Sequence, residues 1–95
     1  MTPLWKIRSG QFAGWHSDDA LYNAEGVHVG YLAGHVVYDL RGQVVGELVD
    51  ADWIGRQAQA KYPPGEPQPQ RESVAHAPLA NRTGRNDLAW SDPEL

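Results

Sequence analysis

Cysteine is absent from the 95-residue sequence, so neither a disulfide framework nor a thiolate zinc site can brace a chain this short. A core supported by one small domain is marginal without some other reinforcement. Basic excess is lacking as well: eight Lys and Arg face twelve Asp and Glu, for a formal charge of −4. With both signs interspersed there is no field to draw in a phosphate backbone, and no nucleic-acid partner is expected. No window approaches the roughly 18 consecutive apolar residues of a spanning helix, so no membrane partner is expected either. The opening residues, Met1 to Arg8, lack a basic segment followed by an apolar stretch, which makes a soluble, cytoplasmic protein the expectation. Missing too are a nucleophile elbow, a phosphate-cradling glycine loop before a helix and a His-Glu-x-x-His pair, so enzyme activity is not expected.

What the chain does have is one motif written repeatedly. Leu21 to Leu32 and Val37 to Leu48 align without a gap at a spacing of sixteen, superposing Tyr22 on Tyr38, Asn23 on Asp39, Gly26 on Gly42, Gly30 on Gly46 and Leu32 on Leu48. The same shift backwards gives a weaker copy, Trp5 to His16, with Gly10, Gly14 and Trp15 at the matching places. Forwards, Trp53-Ile54-Gly55-Arg56 starts a fourth copy that breaks off. A fixed period of this kind marks a repeat architecture.

Each copy predicts a β-hairpin. Asn23 or Asp39 opens a turn, and three residues later Gly26 or Gly42 supplies the left-handed residue of a bulge. Ile7 stands at the Asn/Asp position of the first copy, which leaves that turn without a side-chain cap. Alternation after the turn places His28, Gly30 and Leu32 on one face and Val27, Val29 and Tyr31 on the other. Gly14, Gly30 and Gly46 then recur in mid-strand on one face. Close packing of neighbours at a common hub, with aromatic rings over the gap, explains this better than relief of twist strain. Links as short as Ser17-Asp18-Asp19 and Ala33-Gly34-His35 allow only an antiparallel meander, and no 3.6-residue apolar period interrupts it before Arg56. The reading is an all-β chain of about four hairpins at a 16-residue period.

Three segments follow: a hairpin-repeat domain over 1–57, a proline-rich extended linker over 58–80 and a docking segment over 81–95. Lys61 to Gln70 leans to polyproline II. Leu88 and Trp90 return apolar character near the end, which predicts that this tail docks, completing the fourth unit on its own chain or on a second copy in a homo-oligomer.

The hairpins Gly10-Gln11-Phe12-Ala13-Gly14-Trp15, Tyr22…Gly26…Gly30-Tyr31-Leu32 and Tyr38…Gly42…Gly46, with a proline-bearing tail ending in Trp90-Ser91, resemble the small bacterial proteins called four-fold β-flower proteins. The resemblance implies four hairpin petals in a ring or flower about a central axis. It carries no activity, cofactor or catalytic residue with it.

Candidate chemistry is sparse. Trp15 and Tyr31, if exposed side by side, would make a stacking platform for a sugar ring or a peptide. His16 and His28, if on one face, would offer two imidazoles to a metal, although metal sites usually need three ligands. Asp18, Asp19, Asp50 and Asp52 lie in links between hairpins, where carboxylates ordinarily cap backbone amides. The expectation is therefore a non-catalytic binding or assembly module without a cofactor. A small metal protein or enzyme built on His16, His28 and the Asp18-Asp19 loop, and a carbohydrate or peptide binder built on Trp15 and Tyr31, are the alternatives.

Overall fold

Asn23 and Asp39 close their hairpins from within. The Oδ1 of Asn23 accepts hydrogen bonds from the amides of Glu25 and Val27, that of Asp39 from the amides of Arg41 and Gln43, and Gly26 and Gly42 follow in left-handed conformation. Turns fixed this way set the register of the strands they join. The computed structural model describes residues 1–57, 61–85 and 89–95, and all its regular elements are strands. These are β1 (Thr2–Lys6), β2 (Phe12–Ser17), β3 (Ala20–Asn23), β4 (His28–Ala33), β5 (Val36–Asp39), β6 (Val44–Val49), β7 (Trp53–Gln57) and β8 (Trp90–Ser91). Among the described residues no helix is long and apolar enough to cross a membrane.

Consecutive strands pair antiparallel from β1 to β8, and β1 also pairs in parallel with β7 through Trp5 and Trp53, which closes a seven-strand ring. Successive pairs, β1–β2, β3–β4, β5–β6 and β7–β8, form four petals. The last strand reaches β7 from the far end of the chain, with Ser91 opposite Arg56 and Trp90 opposite Gln57.

A bulge inside each of the first three petals changes the expected faces. Tyr22 is opposite His28 and Leu21 is opposite Gly30, so Val29 is an extra residue. Val45 stands likewise between the partners of Tyr38 and Val37, and Ala13 between those of Trp5 and Leu4. An inserted residue flips the side chains beyond it. His28 therefore shares a face with Tyr22 and Tyr31, while Gly30 lies with Leu21 and Leu32. The second face contains the hub, where Leu4, Ala13, Leu21, Val37 and Ile54 are buried and Val29, Leu32, Val45, Leu48 and Leu95 pack against them.

The glycines do lie at close approaches, but to backbone rather than rings. A Cβ on Gly14, Gly30 or Gly46 would stand against a carbonyl of the next strand, that of Tyr22, Tyr38 or Gly55. The aromatic side chains are on the other face, the outer rim.

The outer copies also slip by one residue. The amide of Lys6 donates to the Gln11 carbonyl as Asn23 does to Val27 and Asp39 to Gln43, so Lys6, not Ile7, occupies the Asn/Asp position. Ile7 is the additional residue of a longer turn, fully buried, with its amide on the Ile54 carbonyl. In the fourth copy Ile54 pairs with Leu48 as Val37 does with Leu32, because the link Asp50-Ala51-Asp52 is one residue longer than Gly34-His35.

Candidate binding rim and cleft

The rim begins as a band of rings that the bulges turn outward. Phe12 makes edge contacts with both Trp5 and Trp15, at centroid distances of 5.7 and 4.7 Å, and Tyr31 stacks on Tyr38 at 5.2 Å. Left bare, so large an aromatic surface would be unusual on a soluble monomer. Residues 61–85 cover it as an extended strap that visits petal three, then two, then one, before the chain returns to petal four as β8. The stretch expected as a linker over 58–80 is therefore in contact with the ring from Tyr62 onward; residues 58–60 lie outside the described part.

The strap recognises the same atom on each of the three petals it visits. The carbonyl of Gly42 accepts from the Gly65 amide at 2.9 Å, that of Gly26 from Val74 at 2.8 Å and that of Gly10 from Arg82 at 2.7 Å. Around these three bonds the side chains of each petal add their own. The Tyr31 hydroxyl donates to the Glu66 carbonyl and accepts from its amide, and Tyr38 donates to the carbonyl of Pro63. Nδ1 of His28 accepts from the Arg71 amide at 2.8 Å, and the Trp5 indole donates to Ala80. Proline suits such a strap, because its carbonyl still accepts while its ring holds the chain extended.

Where a rim residue departs from the repeat, the strap compensates. Glu47 takes the place of Tyr31 in petal three, and Tyr62 lays its own hydroxyl on the Glu47 carboxylate at 2.6 Å. Burial and that carboxylate push the Tyr62 phenol up to about 12. Near the seam of β1 and β7, Arg82 stacks 3.6 Å over the Trp5 ring and pairs with Asp52 at 2.7 Å, and Arg85 pairs with Asp50 at 2.8 Å. Arg71 faces Asp19 at 3.6 Å. The loop carboxylates thus anchor strap arginines, a role the sequence reading missed.

The predicted site residues fall in two places. Trp15 and Tyr31 are both on the rim but are 4% and 6% exposed, under His76 and Glu66 of the strap, so they form no open platform. His28 is on the rim too, beside Tyr22, and burial lowers its pKa against the pull of the Gly30 carbonyl. His16 is at the hub position held elsewhere by Leu32 and Leu48, with both ring nitrogens buried and unpaired among the described atoms. The two histidines occupy opposite faces of the sheet and are not brought together. Among the described residues no three His, Asp or Glu side chains gather as a metal site would require. Leu88, expected to dock with Trp90, lies outside the described residues.

Petal four is assembled from two parts of the chain far apart in sequence, β7 and β8. Gly55 stands where Tyr22 and Tyr38 stand in their petals, and the ring of Trp90 lies over it, 2.9 Å from where a Cβ would be. Beyond β8, Asp92 crosses to petal one and accepts from the amides of Arg8 and Ser9 at 2.7 and 3.1 Å. It supplies the turn cap that Lys6 and Ile7 cannot. One end of the hub stays open beside this return segment: a cleft of about 520 Å³ has Val29, Val44, Val45 and Leu95 on its walls, with Arg41 and Arg56 among its charged residues.

A model of the 4-fold beta flower protein family matches residues 5–95. No curated protein and no solved structure matches the chain.

Proposed function

The chain belongs to the 4-fold beta flower protein family, and from that premise we propose that it is a non-catalytic binding and assembly module whose rim grips an extended, proline-bearing polypeptide. In the closed chain that polypeptide is its own strap. In an assembly it is the strap of a second copy, with Trp90 of one chain seated on Gly55 of the other. The observation that supports this is the threefold use of one acceptor, the carbonyls of Gly10, Gly26 and Gly42, each bound by a strap amide. Recognition through main-chain bonds at a regular interval, with pockets for alternate side chains, is how extended peptides are commonly held. Because the strap's contacts are to the ring, the same contacts are available between two chains, which is the condition for exchange.

A labelled synthetic peptide of residues 61–95 tests the proposal when added to full-length protein carrying Arg82→Ala and Trp90→Ala, which loosen the resident strap. Saturable binding of one peptide per ring, competed by the unlabelled peptide and not by its scrambled version, is expected. A folded variant that ignores the peptide, or binds the scrambled one equally, would refute the reading.

A further inference from the structure

The open end of the hub is a product of broken symmetry. Petals two and three turn the bulge residues Val29 and Val45 toward it, while petal four is completed by β8 rather than by a continuous hairpin, and the segment after β8, Asp92 to Leu95, lines the opening. A cleft remains at that quarter, and its volume of about 520 Å³ falls within the range of small-molecule sites, roughly 300–1,000 Å³.

Its charges are unequal in what they can still do. The carboxylate of Asp92 already accepts two backbone amides, and Oδ1 of Asp39 accepts another two. Glu94 is the acidic group in the lining with no such duty described. Against these, Arg41 is 80% exposed at its side chain and reaches Asp39 only at 3.9 Å, so its guanidinium is largely unspent. Arg56 donates one Nη1 hydrogen bond to the Val44 carbonyl and keeps the rest of its fork. A guanidinium carries five donors in a planar arrangement that matches a carboxylate.

We infer that the cleft is a binding site for a small amphiphilic carboxylate, its apolar body against Val29, Val44, Val45 and Leu95 and its head between Arg41 and Arg56. The rim stays covered by the strap in this complex, and because Asp92 to Leu95 line the cleft the site needs the C-terminal segment in place. Glu94 opposes the head and tunes affinity downward.

Octanoate titrated calorimetrically into the full-length protein tests this, with octylammonium and octanol as controls of reversed and zero charge. One saturable octanoate site is expected, weakened about tenfold by Arg41→Gln, a substitution at an exposed turn residue, and tightened by Glu94→Gln. Octanol or octylammonium binding as well as octanoate would overturn the inference. So would the absence of an octanoate site, or full octanoate affinity in Arg41→Gln.

Discussion

The side chain of His28 ties the strap to the second petal through a nitrogen that must stay unprotonated, beside the bond its carbonyl accepts from Gln70 Nε2. Its Nδ1 accepts the Arg71 amide, and a proton there would break that bond and place a second charge near the Arg71 guanidinium. Burial lowers the folded-state pKa below the ordinary 6.5, with Arg71 adding to the effect and the Gly30 carbonyl and Asp19 carboxylate opposing it. For a lowered pKa the unfolded chain takes up the proton first. The stabilisation is therefore complete above the unfolded value and is lost as pH falls through the folded one. Melting followed by circular dichroism should show the midpoint dropping between about pH 7 and pH 5, and His28→Gln, which keeps an acceptor without titrating, should flatten that drop. A parallel decline in both proteins would remove His28 from the account. Tyr62 has the opposite sign, its raised pKa helping until pH climbs through about 12. The histidines also show where residue identity misled: alternation put His16 and His28 on one face, and the inserted Val29 separates them.

At the scale of the element, the three hairpin turns solve one problem by two routes. Petals two and three carry their own acceptors in Asn23 and Asp39, whereas petal one borrows Asp92 from the far end of the chain. Loss of an acceptor that satisfies two amides costs about 1–3 kcal/mol. Asp92→Ala should accordingly destabilise the protein by about that much and speed hydrogen exchange at Arg8 and Ser9, leaving the amides of Arg41 and Gln43 unchanged. Uniform acceleration across all turns would instead mark a general loss of stability. The hairpins themselves were legible because Asn/Asp-x-x-Gly is a local signal written in the residues that adopt it. The bulges were not, since Ala13, Val29 and Val45 are ordinary strand formers, and only the partner strand reveals that two residues face one. The one-residue slips at Ile7 and at Asp50-Ala51-Asp52 were hidden for the same reason.

On the scale of the whole molecule, the strap is a long detour between β7 and β8, the two strands of petal four. It leaves petal four, circles three petals in reverse order and returns to finish the hairpin it began. A chain this small without disulfides gains from such closure, because covering the aromatic rim adds apolar burial that a bare ring would lack. The sequence pointed to docking through Trp90, a large apolar residue stranded after a proline-rich run. It did not show that the run itself docks, since its contacts are mostly backbone atoms and arginines aimed at loop carboxylates, and neither leaves a hydrophobic period. The measurement that bears most directly on this arrangement is the set of nuclear Overhauser contacts in the dilute, uniformly labelled full-length protein. Cross-peaks from the Trp90 indole to the Gly55 α-protons, and from the Val74 amide to Gly26, are predicted. Their absence, with residues 61–85 showing random-coil shifts, would contradict it.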